Sequence, residues 1–185
     1  RLGEAKQAER HWKKAFRINP EFLPASQGLG RAAHRRESWS ELVSLYRREL
    51  SALAPRSPQR VELLRRLAEV YEHRLKRDSS AARCHEDILE ILSEDAAALT
   101  SLDRLYQRLG NWRALARVWN SRAHRLQGRL REQGAAFLRA AEHFMEANDE
   151  DRALNAYEHA YLANTLLHPA AWAIELIMYP RHGSG

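Results

Sequence analysis

At 185 residues with 44% hydrophobic content, the chain is long enough for one domain with a buried core. A formal net charge of +6 and a pI near 9.8 raise nucleic acid as a partner, yet 26 of the 30 basic residues are arginines, spread along the chain and interleaved with acids, so that partner is disfavoured. No apolar run approaches the roughly 18 residues of a membrane span, and the lone Cys84 excludes an internal disulfide and fits a reducing, cytoplasmic setting.

Residues 1–22 read as the second helix of a truncated repeat. The stretch Arg1–Trp12 is amphipathic with charges throughout, unlike a signal peptide with its apolar centre. In residues 23–56, Leu29, Ala32 and Ala33 share one helical face at the i, i+3, i+4 spacing. Arg35-Arg36-Glu37-Ser38 breaks the rhythm, and Trp39, Leu42, Val43 and Tyr46 resume it, predicting two antiparallel amphipathic helices. Gly30 inside the first helix costs roughly 1 kcal/mol relative to alanine, which predicts a partner helix crossing close against it.

Residues 57–95 repeat the plan with Leu64, Leu67, Ala68 and Tyr71, then Ala81, Cys84, His85 and Ile88. Their turn carries one extra residue, because Tyr71 to Ala81 is 10 positions where Ala33–Leu42, Tyr106–Leu115 and Phe144–Ala153 are each 9. Residues 96–132 give Leu99, Leu102, Leu105 and Tyr106, the turn Gly110-Asn111, then Trp112, Leu115, Val118 and Trp119. Residues 133–167 give Phe137, Ala140, Ala141 and Phe144, the turn Asn148-Asp149, then Ala153, Ala156, Tyr157 and Ala160. Asp149, Glu150 and Asp151 are expected to cap that last helix and oppose its dipole. Residues 168–179 read as a terminal helix without a complete partner, and 183–185 as a linker or tag remnant. A stacked array needs capped ends, so both termini predict a piece of a longer protein.

Five pairs mark the repetition: Ala8/Trp12, Leu42/Tyr46, Ala81/His85, Leu115/Trp119 and Ala153/Tyr157. Their first members fall 34, 39, 34 and 38 residues apart, a recurrence typical of stacked repeats. From each of the first four to the next Ala33, Tyr71, Tyr106 or Phe144 the distances alternate between 25 and 29. The difference of four is about one helical turn, which lengthens an element without rotating its apolar face. Trp39 and Trp112 are 73 apart, as are Ala8 and Ala81, so the period is a pair of repeats.

Leu29-Gly30, together with Gly3, Ala8, Trp12, Ala15 and Pro20, resembles the tetratricopeptide repeat, with its Leu-Gly pair, turn glycine, small–aromatic–small series and closing proline. The resemblance covers most of 3–178 and implies an all-α fold: a right-handed α-solenoid of antiparallel helix-turn-helix repeats forming a single array over residues 1–179. Leucine at 42 and 115, histidine at 85, and the single closing proline depart from the family pattern. The pairing of repeats is similar to that of long helical-repeat proteins of some bacteria.

No metalloprotease, paired-cysteine or nucleophile-elbow motif occurs, so no catalytic residue, metal or cofactor is assigned. Cys84 and His85 are adjacent on a helix, point about 100° apart and cannot pair. Gly28-Leu29-Gly30 lies inside a helix and is no phosphate loop. The five tryptophans fall at packing positions, including Trp172 on a stripe with Leu176, rather than on a base-stacking surface.

The resemblance implies a concave groove lined by the first helices. Beside the core stripes these helices carry Gln27, Arg31, His34 and Arg35; Arg65, Glu69, Glu72 and His73; Thr100, Arg104, Gln107 and Arg108; and Leu138, Glu142, Met145 and Glu146. The charge runs from basic to acidic along the chain, which orients a protein or peptide partner. The lysine and asparagine of the family's chaperone-tail clamp are absent from these positions, which argues against capture of a C-terminal carboxylate in that mode. The expected function is a non-catalytic interaction scaffold. A spacer within a larger signalling or catalytic protein and an RNA-binding helical repeat are the alternatives.

Overall fold

The structure is a computed structural model that describes residues 2–19 and 22–179. Pro20 and the 183–185 tail therefore lie outside the described residues. Among those described there are ten α-helices and no strand. They are α1 (Leu2–Ile18), α2 (Leu23–Arg35), α3 (Trp39–Ala52), α4 (Pro58–Glu69), α5 (Asp78–Ile91), α6 (Ala96–Leu109), α7 (Trp112–Arg125), α8 (Leu130–Glu146), α9 (Glu150–Ala163) and α10 (His168–Met178). The chain divides into two compact units, Arg1–Ile91 and Leu92–Gly185.

Local chemistry sets the helix starts. Ser57 accepts the Arg60 N–H at 3.3 Å with Pro58 behind it in the first turn. Asp95 accepts from Ala98 at 2.8 Å, and Asn111 from Ala114 at 3.2 Å. Each side chain satisfies an amide that has no partner within its helix. Asp149 stands at the corresponding position before α9 but accepts no capping bond. Its carboxylate instead lies 3.5 Å from both Arg113 and Arg152. The expected cap is thus a pair of bridges, because two guanidiniums compete for the same oxygen.

The turns within hairpins share one geometry. Ser38 N–H donates to Ala33 C=O, Asn111 to Tyr106 and Asp149 to Phe144, each at 2.9 Å. The residue before each donor is left-handed: Glu37 at φ 56°, Gly110 at 62° and Asn148 at 53°. In the third hairpin Tyr71 C=O accepts from Arg77, six residues on, at 2.8 Å, and Lys76 takes the left-handed place at φ 53°. The extra residue is absorbed partly upstream of the turn. Val70–Arg74 forms a π-helical turn continuing α4, with Leu75 N–H donating to Val70 C=O.

In the N-terminal unit the expected stripe residues Leu29, Ala33, Leu42, Leu64, Leu67, Ala68, Ala81 and Ile88 are buried, joined by Leu45, Leu50 and Leu63. In the C-terminal unit Ala116, Leu126, Phe137, Ala140, Phe144, Ala153, Tyr157 and Ala170 form a second core, against which Trp119 packs. Close approach falls on a different glycine from the one expected. A Cβ on Gly28 would stand 2.4 Å from the Trp12 ring, whereas one on Gly30 would meet Leu42 Cδ1 at an ordinary 3.5 Å. Among the tryptophans, Trp172 departs from the expected packing position. Trp12, Trp39, Trp112 and Trp119 are half-buried, and Trp172 is 67% exposed with Leu176 beside it at 54%.

Candidate functional site

On α2, residues four, seven and eight apart share a face, so Gln27, Arg31, His34 and Arg35 all emerge beside the core stripe, and all are exposed. The structure brings three of them together. Gln27, Arg31 and His34 line a cleft of about 350 Å³ with Gly30, Tyr46 and Glu49 of α3, and Leu63 and Arg66 of α4. A second cleft of about 380 Å³ shares Gln27, Glu49, Leu63 and Arg66 and extends past Pro58, Gln59 and Glu62. Together they form a groove between α2 and α4 whose floor is α3.

The electrostatics of the cleft are mixed. Burial raises the proton affinity of Glu49, opposed by Arg66 and by a hydrogen bond with Gln27. Burial also pushes the Tyr46 hydroxyl up, again against the charge of Arg66. Arg66 Nε is 3.1 Å from Glu62 on its own helix, an exposed pair of small worth. The Arg31 guanidinium lies 5.8 Å from the centre of Trp12, and His34 meets Trp39 edge-on at 5.1 Å. Arg35 stands apart from the cleft. It helps to hold the Glu9 carboxyl down, after the hydrogen bond from Lys13 and the charges of Lys13 and Arg36.

Of the α4 candidates, Glu69 is exposed and Arg65 is half-buried. Glu72 is buried at 6% exposure, and so leaves the groove face. The wider π turn advances each residue through a smaller angle than an α-helix does, which turns Glu72 back toward the core.

In the C-terminal unit Arg104, Gln107 and Arg108 on α6 and Glu142 and Glu146 on α8 are all exposed. Between these helices sits a closed network. Trp119 Nε1–H donates to Asp103 Oδ1 at 2.8 Å. Asp103 Oδ2 lies 3.8 Å from Arg139, whose guanidinium is 4.7 Å from the centre of the same indole. Arg122 approaches that ring too, at 5.6 Å.

The reading of the chain by its core stripes missed Tyr46, Glu49, Leu63 and Arg66. Tyr46 counted as a packing ring, and the others flank the stripes rather than lie on a named face. A signal was present nonetheless, since Gly30, Tyr46 and Arg66 lie 73 residues before Asp103, Trp119 and Arg139.

Cys84 is buried, and burial, with Asp87 nearby, pushes its thiol up to about 12, which leaves it unreactive at neutral pH. Among the described residues no group of three or more His, Cys, Asp or Glu is arranged to hold a metal ion. No helix among them is long and apolar enough to cross a membrane.

Hairpins of antiparallel helices, repeated with rings at corresponding places, define an α-helical repeat protein. Residues 25–61, which span most of α2, all of α3 and the start of α4, match the family model described as tetratricopeptide repeat. That match marks residues 25–61 as a tetratricopeptide repeat. No curated protein matches the sequence significantly. Among solved structures, YrrB, described as a TPR protein with an unusual peptide-binding site, is 17% identical at a TM-score of 0.46, over 95% of this chain and 86% of its own. The MamA protein is 13% identical at 0.46, over 97% and 88%. BtubC from P. vanneervenii is 16% identical at 0.41, over 96% and 81%. Likeness at these levels carries no argument about partners.

Proposed function

We propose that the chain is a non-catalytic scaffold that binds an extended peptide or a partner helix on the faces of its first helices. The supporting observation is the groove between α2 and α4, where Gln27, Arg31, His34 and Arg66 converge on one cleft. Exposed arginines supply planar donors suited to carboxylates and amides. Arg31, Arg35, Arg104 and Arg108 are the anchors. Arg65, Glu69, Glu142 and Glu146 extend the face and set polarity along it. A cytoplasmic setting and a single array over 1–179 belong to the same reading.

The test is affinity capture from nuclease-treated lysate of the source organism. The wild-type protein is compared with Arg31→Glu, Arg35→Glu, Arg104→Glu, Arg108→Glu, first shown to be folded by circular dichroism. A protein retained by wild type and lost from the variant is the expected result. Equal retention by both sinks the groove reading and directs attention to the convex faces. Capture of nothing by either sinks it in favour of a spacer.

A further inference from the structure

The chain contains its own control for the α2–α4 cleft. Residues 73 apart occupy corresponding places, as Trp39 and Trp112 do at the first positions of α3 and α7. Gly30, Tyr46 and Arg66 thus correspond to Asp103, Trp119 and Arg139. In the C-terminal unit the three are closed by a carboxylate: Asp103 accepts from the indole N–H at 2.8 Å and faces Arg139 at 3.8 Å. In the N-terminal unit the corresponding arginine and phenol remain, and the residue that would bring the carboxylate is a glycine. A Cβ at Gly30 would have Tyr46 Cε1 4.0 Å away and Leu42 Cδ1 3.5 Å away, so a side chain there is not sterically barred. The space it would fill is the open cleft of about 350 Å³.

We propose that this cleft receives the carboxylate of an aspartate or glutamate side chain from an extended peptide partner, in the position that Asp103 fills from within the chain in the C-terminal unit. The inference rests on the groove-binding reading and names the chemistry of one contact within it. Arg31 gives the guest carboxylate one guanidinium, Arg66, whose Nε already pairs with Glu62 at 3.1 Å, offers its remaining N–H groups, and Tyr46 and Gln27 supply neutral donors. Glu49 is the one carboxylate lining this cleft. It is held by Gln27 and disfavours the guest by like charge, so neutralising it strengthens binding.

A display library of random decapeptides is selected against the intact protein, and the best binder is measured by fluorescence anisotropy. Enrichment of Asp or Glu at one fixed position is expected, with at least tenfold weaker binding when that residue is changed to its amide. Gly30→Asp, which supplies the carboxylate in cis, and Arg66→Gln should each weaken binding at least tenfold, and Glu49→Gln should tighten it severalfold. Asp103→Gly should open the corresponding place and raise the stoichiometry from one peptide per chain to two. Circular dichroism confirms that each variant folds, and in the Gly30, Glu49 and Arg66 variants the unmodified Asp103 network keeps the C-terminal unit as an internal reference. Enriched peptides with no fixed acid, displaced by Arg31→Glu but indifferent to Gly30→Asp, overturn the carboxylate contact and leave the groove reading intact. A library that yields no binder overturns both. Displacement of the peptide by a single-stranded oligonucleotide at equal charge assigns the cleft to phosphate and overturns the peptide partner.

Discussion

Gly28 and Trp12 meet so closely that any side chain at Gly28 requires the ring to move. With a Cβ 2.4 Å from the indole, Gly28→Ala must displace the ring or part α1 from α2. It should cost about 1–3 kcal/mol, read by urea unfolding, with a change in Trp12 emission. Glu37 is the opposite case. It holds φ 56° where the corresponding residue after α6 is Gly110. The left-handed cost of roughly 1–2 kcal/mol exceeds the entropy penalty of glycine, so Glu37→Gly should stabilise by about 0.5–1 kcal/mol. Glu49 makes folding pH-dependent. Its folded-state proton affinity is raised by burial, so its contribution is fully present below the unfolded value of about 4.3 and is lost as pH rises through the folded value. Glu49→Gln should therefore be more stable than wild type near neutrality and lose that advantage in acid. Chemical denaturation across the weakly acidic range checks both the sign and the window.

At the scale of elements, the hairpins are near copies that differ in how each end is satisfied. Asn111 caps α7 through its side chain, whereas Asp149 spends its carboxylate on Arg113 and Arg152. Asn111→Ala should cost about 1 kcal/mol regardless of salt. Asp149→Ala should cost no more than about 1 kcal/mol, with the difference shrinking in high salt. Thermal melts at low and high ionic strength separate the two. The third hairpin shows how an insertion is tolerated. One added residue between Tyr71 and Ala81 widens the end of α4 into a π turn and lengthens the turn bond from five residues to six. The ladder position Ala81 stays buried, at the expense of turning Glu72 inward.

At the scale of the whole molecule, each compact unit carries a core of its own, and repeats contact mainly their neighbours. Leu64→Ala and Leu115→Ala, both at fully buried positions, should each cost about 2–5 kcal/mol. Hydrogen exchange should show the loss of protection centred on the unit that holds the substitution. The exposed surface is equally specific. Trp172 at 67% exposure should be quenched by iodide far more readily than the half-buried Trp112, which stacks on His143 with ring centres 6.1 Å apart.

What the sequence determined by itself was whatever depends on short-range periodicity. The stripes Leu29–Ala33 and Leu102–Tyr106, the hairpin turns and the pairing of repeats all follow from a 3.6-residue rotation that any neighbour must respect. The class of protein followed too, because a repeated apolar face has few ways to be buried. Tertiary structure alone decided which flanking residues meet. Tyr46, a ring at a packing position, lines a cleft because Gly30 opposite it has no side chain, while Trp119 at the corresponding place is tied down by Asp103. The absence of a side chain leaves no hydrophobic signal, and its consequence depends on a residue more than thirty positions away in α4. Glu72 makes the same point: its outward phase held only for an unbroken α-helix, and a single widened turn put it inside. Periodicity is a property of one helix, whereas a cleft is a property of three.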